Sequence, residues 1–79
     1  MIKELDTVVL AQDIPERGLA SGDIGTVVLV HRGGKGYEVE FLTLDGDTVA
    51  VVSLSGSQVR PIGRREIAHV RAMEAQVAG

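Results

Sequence analysis

The chain has no cysteine and no tryptophan, one tyrosine, one phenylalanine and two prolines. Without cysteine there is no disulfide framework, no thiolate nucleophile and no Cys-type zinc site. With Tyr37 and Phe41 as its only rings, the chain offers no aromatic platform of the kind that single-strand nucleic-acid readers use to stack bases. No segment approaches the ~20 apolar residues of a membrane span, and the start, MIKELDTVVLAQD, lacks the basic flank and long apolar stretch of a leader. A cytoplasmic protein with no membrane contact is expected. What is present is aliphatic: 44% of the 79 residues are apolar, enough for one small core rich in valine. The net charge of −3 is unevenly spread, with an acidic body and a basic stretch from Arg60 onward.

Periodicity predicts five short strands: Leu5–Ala11, Gly25–His31, Tyr37–Leu42, Thr48–Leu54 and Val59–Ile62. In YEVEFL, apolar and acidic residues alternate, so Tyr37, Val39 and Phe41 face the core while Glu38 and Glu40 face water. Val27 to Val30 are expected to supply core and sheet. Asp45-Gly46 is a tight-hairpin signal, and Pro61 limits the last strand to an edge. The stretch from Ile14 to Gly22 is too broken for an element, yet Ile14 and Leu19 can tuck back onto the core. From Arg64 the pattern changes to helix formers, with Ile67, Val70, Met73 and Val77 at steps of three to four. The expected fold is mainly β: a small five-stranded SH3-like barrel over residues 1–63, with a short C-terminal α-helix over 64–79 as part of the same domain.

The glycines of SGDIGTVVLV do not form a phosphate loop. No GxxxxGK followed by Ser or Thr and no GxGxxG is present, and the glycines lead into a strand rather than a helix. Gly22 is expected at a positive-φ turn and Gly25 at a close backbone approach. Gly33-Gly34-Lys35-Gly36 reads as a hairpin tip. His31 and His69 have no ligand spacing around them, and no GxSxG elbow exists, so no catalytic residue, metal site or cofactor is assigned. The features that remain are the paired acids Glu38 and Glu40, the basic stretch Arg60, Arg64, Arg65 and Arg71, and the apolar stripe Ile67, Val70 and Met73.

ELDTVVLAQDIPERGLASGDIGTVV, YEVEF, LDGDTVAVVSL and VRPI together resemble a family of short bacterial proteins known as domain of unknown function 4926, over Glu4 to about Arg71. The resemblance implies an SH3-like barrel and carries over no catalytic residues. GDIGTVVLV is also similar, more loosely, to the KOW-type stretch of ribosomal and transcription-factor barrels. A further loose similarity is to small SH3-like subunits that dock electron-transfer proteins. The expectation is a non-enzymatic interaction module that self-associates or docks on another protein, one encoded nearby being a candidate. The contact would use Glu38, Glu40, Arg60, Arg64, Arg65, Ile67, Val70, Arg71 and Met73. The alternative is RNA binding through the basic tail, whose affinity would fall steeply with salt.

Overall fold

The computed structural model describes residues 1–73. Five strands form: β1 (Thr7–Leu10), β2 (Ile24–His31), β3 (Gly36–Leu42), β4 (Thr48–Ser55) and β5 (Val59–Pro61). All neighbours are antiparallel, in one sheet of order β4-β3-β2-β1-β5. The strand positions agree with the sequence pattern to within a residue or two at each end.

The core collects one face of that sheet. Val8, Val27 and Val39 are fully buried, joined by Leu10, Tyr37, Phe41, Ala50, Leu54 and Val59. Ile14 and Leu19 bridge to each other across the loop after β1 and close one side of this cluster. That loop holds a 3₁₀ turn, Pro15–Arg17, and is tied at both ends by carboxylates: Asp13 accepts from the Ser21 N–H and Asp23 from the Ala20 N–H.

The sheet is open, and the expected closed barrel does not form. β4 and β5 share no ladder and are the two free ends of the sheet. β5 is only three residues long and ends in Pro61, which has no N–H to give, so it offers too little edge to close against eight-residue β4.

The expected core run Val27 to Val30 is split by a bulge between Val27 and Leu29. One extra residue reverses the alternation: Val27 faces inward opposite Val39, whereas Leu29 faces outward beside Glu38 and Val30 returns inward beside Tyr37. Val28 and Leu29 are left exposed.

Among the described residues the expected C-terminal helix is also absent. Residues Arg64–Met73 contain no helical segment, and Val77 lies outside the described residues. A short helix with no large apolar surface to receive its stripe is marginal. Here side-chain anchors decide instead: the segment is pinned near its start through Glu66 and near its end through Arg71.

Two glycines position these parts. Gly22 adopts φ +97°, a conformation side chains resist, where the loop turns into β2. A Cβ at Gly25 would stand 2.6 Å from Val39 Cγ1 and 2.9 Å from Phe41 Cε1, so only glycine lets β2 lie this close over the core.

Candidate interaction surface

The tail, residues 62–73, lies back over the start of β2 as a strap. At its near end Glu66 receives a two-point fork from Arg60, Nη1 to Oε1 at 2.8 Å and Nη2 to Oε2 at 2.6 Å, and the Gly63 N–H bonds the same carboxylate. These bonds, Arg60 first and the Gly63 amide second, pull the Glu66 carboxyl down to about 2. At its far end the Arg71 guanidinium forks onto Asp23, Nε to Oδ1 at 2.8 Å and Nη2 to Oδ2 at 2.6 Å, and also reaches the Gly18 carbonyl at 3.1 Å. Partial burial works to raise the Asp23 pKa. The bonds from Arg71 and the Ala20 amide, with the Arg71 charge, outweigh it and hold the carboxyl below its ordinary value.

A cleft runs on each side of the strap. One, of about 400 Å³, lies between Val70, Arg71 and Met73 and the apolar wall of Leu19, Ile24, Phe41, Leu42 and Val49. The other, of about 370 Å³, lies between Ile67 and the pair Val9 and Ile62. Around them Leu44 is 90% exposed, Ile67 95% and Val70 72%, whereas Met73 is 39% exposed, its Cε against Gly18.

Of the residues singled out in the sequence, Arg71, Met73 and Val70 meet at the first cleft, and Arg60 and Ile67 at the second. Arg64 and Arg65 are exposed and have no carboxylate partner among the described residues. Two of the four tail arginines therefore spend their charge on internal acids.

Glu38 and Glu40 belong to a separate place, the outer face of β3. Glu38 Oε2 lies 2.7 Å from His31 Nε2 and also accepts from the Ser53 hydroxyl; Glu40 accepts from Thr48 Oγ1 at 3.0 Å. The bonds from His31 and then Ser53 keep the Glu38 carboxyl below its usual range. A general acid needs the opposite shift, and a Ser-His-acid relay needs the histidine between serine and acid, whereas here the carboxylate sits in the middle.

The sequence reading missed Asp23, Ile24, Leu42 and Leu44. Asp23 sits inside the SGDIG stretch, where the glycines drew attention, and nothing local marks it as the partner of an arginine far along the chain. Leu42 shares the outward parity of Glu38 and Glu40, and Leu44 sits in the turn before Asp45-Gly46; both are exposed, but only the folded-back strap makes them the wall of a cleft.

The fold and surface define a small all-antiparallel β domain strapped by its own tail. Residues 4–61 match the family described as Domain of unknown function (DUF4926), and the chain belongs to that family. The match stops at Pro61, so the strap lies beyond it. No curated protein and no solved structure matches the chain. Among the described residues, no helix is long and apolar enough to cross a membrane.

Proposed function

We propose that this protein is a non-enzymatic protein-interaction module, which self-associates or docks on another protein. The observation that carries this reading is the ring of exposed apolar side chains, Leu44, Ile67 and Val70, around clefts whose walls are themselves apolar. A small domain seldom leaves such side chains together in water unless a surface covers them.

Native mass spectrometry of the protein isolated from its own cells tests the reading. An assembly heavier than the 8.4 kDa chain is expected, and whatever part of it is seated on the clefts should be lost when Ile67 and Val70 are both changed to Asp. An 8.4 kDa species alone, at every concentration, would overturn it.

A nucleic-acid role rests on Arg64 and Arg65, the two tail arginines without an internal partner among the described residues. It requires RNA binding at low salt that weakens steeply as salt rises. Absence of binding at low salt removes it.

A further inference from the structure

The two ends of the sheet are finished differently. β5 is short and carries Arg60 and Pro61, two devices that blunt an edge against unwanted pairing. β4 reads TVAVVSLS over eight residues, with no charge and no proline, and Val51 is exposed. At the end of β4, Ser55 gives its N–H to Gln58 Oε1 at 2.8 Å and receives the Gln58 N–H on its carbonyl at 3.0 Å, both away from β3. In an antiparallel ladder a residue's N–H and C=O point to one side and alternate along the strand. Ser53 and Val51 therefore also turn theirs away from β3. Among the described residues no backbone group from elsewhere in the chain bonds them.

We propose that β4 pairs antiparallel with β4 of a second copy, joining the two sheets about a two-fold axis at Val52. Val51 and Ser53 of one copy then exchange N–H···O bonds with Ser53 and Val51 of the other, and the two Val52 side chains meet at the axis. The inference rests on the reading of the protein as an interaction module and commits it to one occupant, at a surface away from the strap.

Three observations favour a copy of the same chain. A neutral strand laid against itself brings no like charges together. The acids beside the pairing residues, Glu38 and Glu40, sit one strand in, so across the seam they stand three strand spacings apart, about 14 Å, beyond the ~8–10 Å screening length of physiological salt. Finally, the pairing consumes both plain edges and leaves only the two blunted β5 edges outside. It closes as a dimer and does not grow into a fibre.

Sedimentation equilibrium of the full chain should give twice the 8.4 kDa mass, and the V51K variant should sediment at the mass of one chain with an unchanged far-ultraviolet spectrum. Hydrogen exchange of the unaltered chain gives a second measure that does not depend on the variant folding: the Val51 and Ser53 amides should exchange several-fold more slowly as concentration rises. A dimer that survives V51K but is lost when Ile67 and Val70 become Asp overturns the β4 pairing while leaving the interaction module intact. Concentration-independent exchange at Val51 and Ser53 overturns it as well, including where those amides are covered only by an unrelated extended peptide.

Discussion

Arg71 holds Asp23 by two parallel hydrogen bonds, and Asp23 in turn holds the amide of Ala20, so one carboxylate fastens the strap, the loop and the start of β2 together. Because more than a third of the arginine side chain is exposed and solvent screens the pair, its contribution to global stability is small. Arg71→Ala is expected to cost no more than about 1 kcal/mol. Asp23→Ala also strips the acceptor from the Ala20 N–H and is expected to cost about 1–2 kcal/mol. Urea unfolding of the two single variants and the double variant measures the coupling; equal losses for both singles would contradict the extra role of Asp23.

The close approach at Gly25 makes a sharper forecast. Gly25→Ala drives a methyl group into Val39 and Phe41 and should destabilise by about 1–3 kcal/mol, as overpacking does. Gly56→Ala serves as the comparison, because nothing lies within 4 Å of a Cβ built there. That change should be neutral or stabilising by up to about 1 kcal/mol. Thermal melts of the two variants side by side decide the matter.

Phe41 is the chain's one phenylalanine and is 2% exposed near the end of β3. Phe41→Ala is expected to cost about 3–5 kcal/mol, comparable to the whole net stability of a domain this size. The variant should be largely unfolded at room temperature by circular dichroism, whereas Phe41→Leu should fold.

Acid should act on the strap in a defined window. The folded Glu66 carboxyl is depressed to about 2 from an ordinary value of 4.5, so the stability it contributes is complete above the unfolded value and is lost as pH falls through the folded one. The Arg60–Glu66 fork should therefore hold at pH 4 and release toward pH 2. Carboxyl-carbon NMR titration reports this directly. A Glu66 midpoint near 4.5 would show that the fork does not form in solution, and Glu66→Gln should remove this part of the acid dependence.

Local pattern was enough for the strands. Alternation in YEVEFL placed Tyr37, Val39 and Phe41 inside and the two glutamates outside, and Asp45-Gly46 marked the β3–β4 hairpin, because both signals act between close neighbours in sequence. What escaped depended on distant partners or on a single-residue slip. Leu29 faces water because a bulge one residue earlier reversed the phase, and no composition signal marks a bulge without glycine. The tail has helix-forming residues at helical spacing, yet Glu66 and Arg71 find stronger partners in Arg60 and Asp23 than a lone helix could offer. The surface residues Ile67, Val70 and Met73 were legible as apolar; that they border clefts against Ile24 and Leu42 was not.

The pairing of β5 with β1, rather than with its sequence neighbour β4, also sets an order of events. The β2–β3–β4 hairpins join neighbours through short turns and can zip quickly, but the outer edge of β1 must wait for Val59–Pro61 to arrive from far along the chain. A chain cut before Val59 would therefore fold, if at all, with that edge of β1 bare, a four-stranded sheet unpaired on both sides and prone to associate.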